Sequence, residues 1–175
     1  RLVPVRGWRV QFDLRGAAES LLSDTSFLQS EVRGKWIRSL GARGRVIARA
    51  EAGTTWIDEA DLLPVSERFC AGGDQSVRGY EYQELGPRDA SGAVGGGRHL
   101  MFGSLEYEHR LKGNWGLAAF VDTGNAFDSF SEGLETGAGI GLRWKSPIGM
   151  VRVDVAAAVS QDNALRLHFT LGPDL

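Results

Sequence analysis

Residues 6–17 have the sequence RGWRVQFDLRGA, in which apolar and polar side chains alternate without a break from Trp8 to Arg15. Charged or amide side chains occupy most of one parity, and the other parity carries Trp8, Val10, Phe12 and Leu14. A period of two residues places successive side chains on opposite faces of a β-strand. The stretch therefore predicts a strand with one apolar face and one polar face.

The same period of two residues recurs in seven further segments of the chain. These segments lie within residues 27–40, 45–55, 99–111, 115–127, 137–144, 151–155 and 164–171. No segment of comparable length has the period of 3.6 residues that is typical of an amphipathic helix. Strands of about nine to twelve residues exceed the usual length in soluble proteins and match what a tilted strand needs to cross a hydrocarbon layer. The pattern predicts an all-β fold, an antiparallel transmembrane β-barrel of eight strands.

The connections between the predicted strands alternate in length. Those after the second, fourth and sixth strands are tight and lie at residues 41–44, 112–114 and 146–149. Those after the first, third and fifth strands are longer, and the third spans residues 56–98. Only the last connection, residues 161–163, is short against this trend. Short turns at one end and long loops at the other are typical of outer-membrane barrels.

Tryptophans and ionisable side chains also favour a membrane barrel. The short-turn ends of the predicted strands carry Trp8, Trp36, Trp115 and Trp144, where an interfacial aromatic belt would lie. The alternative is a soluble up-and-down barrel of the lipocalin type, with its apolar side chains inside. The polar parity suits a wet or plugged interior better, because it carries Arg9, Arg15, Arg33, Arg49, Glu51, Glu106, Glu108 and Asp122.

The composition of the 175-residue chain limits its chemistry. A net charge of −2 and a pI near 6.0 argue against a nucleic-acid-binding arm and against a basic membrane-surface patch. The single cysteine, Cys70, excludes an intrachain disulfide and a cysteine-based zinc cluster. The three histidines lack metal-ligand spacing, and the sequence has no nucleophile elbow. We therefore expect no catalytic residues, no metal and no cofactor.

The start of the chain suggests that a longer protein contains it. Arg1-Leu2-Val3-Pro4 has neither an initiator methionine nor the features of a signal peptide, and the strand pattern begins almost at once. We expect residues 1–175 to form a single barrel unit that was cut from a longer chain.

The long connection at residues 56–98 carries the most distinctive sequence. A loop of this length is expected to be functional or disordered. It contains the tetrapeptide Val77-Arg78-Gly79-Tyr80, with glycines on both sides. The second predicted strand after it contains Phe120-Val121-Asp122-Thr123-Gly124, and the first contains Glu106. On these motifs the chain resembles the BamA/TamA superfamily of outer-membrane insertases and two-partner secretion transporters.

The resemblance implies specific roles for these residues. In the superfamily the loop folds back into the barrel lumen, so Arg78 is expected to pair with Asp122 and with Glu106. The strand parity independently places Phe120, Asp122 and Glu106 on the polar face. Gly124 completes the motif of the second strand.

Three glycines on the polar parity of the neighbouring strand would leave room for an inserted loop. They are Gly137, Gly139 and Gly141. Because glycine has no side chain, it often marks a site where another backbone approaches closely.

The number of strands indicates which part of a family barrel this is. Family barrels have sixteen strands, five of them after the signature loop, and five predicted strands follow the loop here. The chain therefore resembles strands nine to sixteen, the C-terminal half. Residues 169–175 most resemble the TamA family, the outer-membrane part of the translocation and assembly module, which works with TamB. The last strand would line the seam of such a barrel with Leu165, Leu167, Phe169 and Leu171.

The resemblance also implies a function and a location. Such a protein inserts or translocates other outer-membrane proteins, including autotransporters, in the outer membrane of Gram-negative bacteria. The partners to expect are outer-membrane lipid including lipopolysaccharide, unfolded outer-membrane or autotransporter substrates and a TamB-like periplasmic protein, with no nucleic acid. The alternative is a secretion pore of the two-partner or fused autotransporter type.

Two expectations concern the eight strands taken alone. An open sheet edge cannot lie in lipid, so the strands should close on themselves as a small barrel or pair with a second copy, and closure is favoured. A small lumen could not also hold the long loop. The contacts of Arg78 with Asp122 and Glu106 are therefore predicted to be lost.

Overall fold

The computed structural model describes residues 6–17, 26–58, 63–147, 149–160 and 165–172. The predicted last turn, residues 161–163, lies outside this part of the chain. Among the described residues, no helix has the length and apolar character needed to cross a membrane.

The chain folds into one antiparallel sheet, which confirms the predicted all-β fold. Its strands follow chain order: β1 (Arg6–Ala17), β2 (Phe27–Leu40), β3 (Gly44–Trp56), β4 (His99–Arg110), β5 (Trp115–Phe127), β6 (Glu135–Ser146), β7 (Gly149–Ala158) and β8 (Leu165–Gly172). Each strand pairs with the next one in sequence. A short 3₁₀ helix, Val65–Glu67, lies in the long loop between β3 and β4.

The two faces of the sheet have opposite chemistry. Apolar side chains on one face are exposed, and Ile140 on β6 is 68% accessible. Many polar side chains on the other face are buried, and Asp122 on β5 is 0% accessible. A soluble barrel would bury its apolar parity, so the lipocalin-type alternative is wrong. An apolar outer face and a polar interior are the arrangement of a membrane barrel.

Four of the five tryptophans lie at one end of the sheet, which we call the short-turn end because it carries the turns β2–β3, β4–β5 and β6–β7. The strand register places Trp8 opposite Trp36 and Trp115 opposite Trp144. The rings of Trp115 and Trp144 stack with centroids 6.0 Å apart. The turns are tight, and Gly41 there has a φ of 66°, a left-handed conformation that favours glycine.

The sheet curves without closing. One cavity of about 1340 Å³ is lined by Arg9 of β1, by His168 of β8 and by the long loop, so both edge strands face the same interior. In the described part of the chain, however, β1 and β8 do not pair. The predicted closed eight-stranded barrel is therefore wrong. A closed barrel of eight strands has an interior just wide enough for side chains, which leaves no space for the loop that lies inside this sheet.

The long loop is ordered over its described residues by an apolar cluster against the sheet. The cluster contains Phe69, Ala71, Val77, Tyr80, Leu85, Leu100, Phe102, Ala126 and Ala158. Isolated bridges, such as Ala71 with Leu85 and Phe69 with Gly97, link the loop to itself. The fold thereby fixes the tip of the loop against the polar face of β4 to β8.

Candidate functional site

The guanidinium of Arg78 lies in the interior, where three carboxylates from three strands surround it. Its Nε and Nη2 donate to the two oxygens of Asp122 at 2.7 and 3.0 Å, a bidentate pair. Its Nη1 donates to Glu106 at 2.8 Å and to Asp154 at 2.9 Å. Arg78 is only 3% accessible. One loop residue therefore joins β4, β5 and β7.

These contacts overturn the expectation that Arg78 would lose Asp122 and Glu106. That expectation assumed a small closed barrel, whereas the open sheet is wide enough to hold the loop. Burial opposes the positive charge, but Asp122 and Glu106 outweigh it and raise the pKa of Arg78 above its usual value. The arginine therefore stays charged whenever the loop is docked.

The remaining residues of the signature also contact the sheet. The backbone N–H of Arg78 donates to Asp122 at 3.2 Å, and its guanidinium lies 3.3 Å from the centroid of the Phe120 ring, a cation–π contact. The hydroxyl of Tyr80 donates to Glu135 at 3.0 Å. Val77 is fully buried, and a Cβ built on Gly124 would lie 3.2 Å from its Cγ2 atom. The structure therefore brings together the signature and the positions predicted to receive it.

Gly79 meets the sheet most closely. Its φ is 101°, and a Cβ at this position would lie 2.8 Å from the carbonyl oxygen of Ala157. Its N–H donates to Nε2 of His168 on β8 at 3.0 Å. Both the backbone conformation and the space require glycine here.

The three glycines of β6 form the surface beneath the loop. A Cβ on Gly137 would overlap the carbonyl of Arg78, and one on Gly139 would lie 2.6 Å from the Phe120 ring. A Cβ on Gly141 would lie 2.5 Å from the guanidinium of Arg143. The missing side chains thus leave space for the loop backbone, for an aromatic ring and for a second arginine.

Arg143 on β6 is a functional candidate that the sequence motifs missed. It is 2% accessible and donates to Glu106 at 2.7 Å, to Glu108 at 3.1 Å and to Asp154. Glu106 therefore accepts from Arg143 on one oxygen and from Arg78 on the other. Arg143 and Asp154 both lie on the polar parity of their strands, which was the available signal, but no motif linked them to the loop.

A second group of contacts ties the loop to β8. His168 bonds Asp74 through Nδ1, and Arg166 forms an ion pair with Glu81. Because Gly79 donates to Nε2 of His168, the ring proton belongs on Nδ1, where it faces Asp74. The predicted seam residues lie on the opposite, outer face of β8, where all four are exposed: Leu165, Leu167, Phe169 and Leu171.

The hydrogen bonds and ion pairs of the site anchor the loop to the wall. Over the described residues, no group of histidine, cysteine and carboxylate side chains has the arrangement of a metal site. Cys70 is a free thiol in the loop, and burial raises its pKa, which disfavours the reactive thiolate. A buried network of matched charges holds one geometry firmly, because removing either partner leaves an uncompensated charge.

Known proteins resemble this chain in sequence. The outer membrane protein assembly factor BamA of Nitratidesulfovibrio vulgaris is 34% identical over 137 residues, which cover 74% of this chain and 17% of that protein. BamA of Neorickettsia risticii is 30% identical over 173 residues, which cover 90% of this chain and 22% of that protein. The chain thus spans about a fifth of the length of these relatives.

A solved structure shares the fold. The crystal structure of BamA from Haemophilus ducreyi lacking POTRA domains 1–3 superposes with a TM-score of 0.79 at 19% identity, covering 97% of this chain and 39% of that one. The Omp85 superfamily domain matches residues 1–174. With its outward apolar face and interior loop, the chain belongs to the Omp85 superfamily and resides in the bacterial outer membrane.

Proposed function

We propose that the protein containing this chain assembles other proteins into the outer membrane, and that the chain supplies the loop-anchored wall of its barrel. Two relatives are named as outer-membrane protein assembly factors, and the superfamily domain covers nearly the whole chain. The observation that most directly supports the proposal is the buried Arg78, which binds carboxylates on three strands at once. Such an anchor gives the interior loop a defined position relative to the wall.

The edge of β8 is the place where this function would act. Within the described residues one edge of β8 has no partner strand, and its outer side chains are apolar. An unpaired edge offers backbone N–H and C=O groups to an incoming strand. The substrates proposed here are therefore unfolded outer-membrane proteins whose strands add to this edge in lipid.

Finer assignments are part of the same proposal. A TamA-like protein would serve autotransporters with a TamB-like periplasmic partner, and the C-terminal residues support this assignment by resemblance. The outer face of the barrel is proposed to contact outer-membrane lipid, including lipopolysaccharide. Since the work consists of strand exchange, the protein is proposed to act without enzymatic chemistry, cofactor or nucleic acid. A secretion pore of the two-partner or fused autotransporter type remains the alternative function.

Insertion of a substrate by the reconstituted full-length protein tests the proposal. Arg78→Ala should lower the rate at which an unfolded outer-membrane barrel substrate becomes heat-modifiable in lipid vesicles, by roughly ten-fold or more. The matched control is Arg88→Ala, an exposed arginine of the same loop whose described hydrogen bond goes to the carbonyl of Gly92.

Three outcomes have a clear meaning. Loss of rate in Arg78→Ala with a wild-type rate in Arg88→Ala supports the anchored wall as part of the insertase. Equal rates in both variants contradict it. Substrate recovered inside the vesicles, rather than in the membrane, favours the secretion pore instead.

A further inference from the structure

The exposed charges of the sheet are segregated along the strand direction. Within the described chain, the short-turn end exposes six basic side chains: Arg6, Arg38, Arg43, Arg110, Lys112 and Lys145. In residues 6–8, 36–46, 107–117 and 142–152 the only acidic residue is Glu108, which is buried with Arg45 and Arg143. The opposite end exposes acidic residues in its loops, including Asp58, Asp74, Glu81, Asp89 and Glu132. The net charge of −2 therefore conceals a basic end, which corrects the expectation that no basic membrane-surface patch exists.

Two of the six basic residues lie on the outer, apolar face. Arg6 shares the parity of Trp8, and Arg38 shares the parity of Trp36. The register of β1 and β2 places Arg6 directly opposite Arg38. Like charges in this position repel and destabilise a strand pair. Among the described residues neither arginine has a carboxylate partner, so an external anion would relieve the repulsion.

The residues next to this arginine pair fit a lipid. Trp8 and Trp36 are opposite each other and exposed, two residues further along their strands. Two residues of a strand span about 7 Å, so the indoles lie roughly one headgroup depth nearer the membrane centre. Val10 continues the same exposed apolar row beyond Trp8. A phosphate at the arginines would thus place its acyl chains along tryptophan and aliphatic side chains.

We propose that Arg6, Arg38, Trp8 and Trp36 form a binding site for the phosphate of an acidic phospholipid at the short-turn end of the barrel. The charge complementarity and the continuous apolar row favour a lipid over a protein partner. Strands pair within the plane of the sheet, so a further strand at the free edge of β1 would leave this outer face open. The site lies away from the Arg78 network, and the proposal goes beyond the assembly function.

Quenching of tryptophan fluorescence by brominated phospholipids tests the site. The full-length protein, with Trp56, Trp115 and Trp144 of this segment and any tryptophans elsewhere replaced by phenylalanine, keeps only Trp8 and Trp36 as reporters. It is refolded into vesicles of phosphatidylcholine containing a minor fraction of phosphatidylglycerol, with one or the other lipid brominated. The ratio of quenching by the two lipids gives the preference for the acidic headgroup. Arg6→Gln/Arg38→Gln should lower this preference by roughly five-fold per arginine removed.

The matched control removes the same charge from the same end but from the inner parity. Arg110→Gln/Lys145→Gln fits this need, because both residues are exposed and lie on the polar parity of β4 and β6. The control should keep the wild-type preference. An unchanged preference in Arg6→Gln/Arg38→Gln overturns the site, and so does an equal loss in both double variants, since that result would reflect only general charge. Heat-modifiable mobility and quenching by brominated phosphatidylcholine that is not reduced below the wild-type level show that each variant is folded in the bilayer.

Discussion

Glu106 is the residue at which the two buried arginines meet. One of its oxygens accepts from Arg78 of the loop, and the other accepts from Arg143 of the wall. The same two arginines also share Asp154. A network of this kind is stabilising only while each charge keeps its partners, because an unpaired buried ion costs several kcal/mol. Its members should therefore be intolerant of single substitutions.

Replacing Arg143 tests this intolerance at the residue that the motifs missed. Arg143→Met keeps much of the side-chain length but removes one of the two arginines that each of Glu106, Glu108 and Asp154 contacts. We expect the free energy of unfolding to fall by about 3–5 kcal/mol, measured by urea denaturation in lipid vesicles. Arg110→Met, an exposed arginine near the same end, should change it by less than about 0.5 kcal/mol. Equal midpoints for the two variants would sink the role assigned to Arg143.

At the scale of elements, the loop and the last strand behave as one unit. The loop reaches β8 through His168, which bonds both Gly79 and Asp74, and through Arg166, which pairs with Glu81. β8 otherwise has one strand partner, β7, among the described strands. An interior strand is held in place by backbone pairing on both of its edges. On β8 the loop contacts supply part of this stabilisation.

Removal of the His168 ring should loosen β8 selectively. We expect His168→Ala to speed amide hydrogen exchange in residues 165–172 by about ten-fold or more, while β4 to β6 keep their wild-type protection. His109→Ala is the control, because His109 lies on β4 at the short-turn end and contacts Tyr107 rather than the loop. Faster exchange throughout the sheet, or none at β8, would contradict a local attachment.

At the scale of the whole molecule, the sheet separates an apolar exterior from a charged interior. The separation is opposite to that of a soluble protein, so stability depends on lipid around the outer face. The interior holds its charges in pairs between loop and wall, and the cavity beside them is lined by both edge strands. The same open shape that leaves one edge of β8 without a partner among the described strands also gives the loop its space.

An arginine introduced on the outer face should destabilise the protein far more than one introduced on the inner face. Val121 is exposed on the outer face at the middle of β5, and Val121→Arg should cost about 2–4 kcal/mol of unfolding free energy in a bilayer. Gln11→Arg adds the same group to β1 on the side that lines the cavity, and it should cost much less. Urea denaturation in vesicles measures both. Similar costs would mean that the assignment of the two faces is wrong.

Alternation of side chains by itself determined much of this protein. It located the strands of the sheet and separated outer from inner residues, because a period of two is a local property that each strand carries independently. Alternation gave bounds that were too short at residues 151–155, since β7 spans Gly149–Ala158 and its ends are small residues with little polar contrast. The motifs likewise named Arg78, Asp122 and Glu106 through resemblance.

Only the tertiary structure decided which inner residues contact one another and how strongly the sheet curves. Arg143 and Asp154 joined the loop site because neighbouring strands brought them beneath it, and Arg6 came to oppose Arg38 through strand register. The parity of a residue shows which face of the sheet it lies on, but not which residue it contacts. The net charge, in turn, adds up charges that lie far apart in the folded protein. Curvature depends on what fills the interior, a packing property that no single strand encodes.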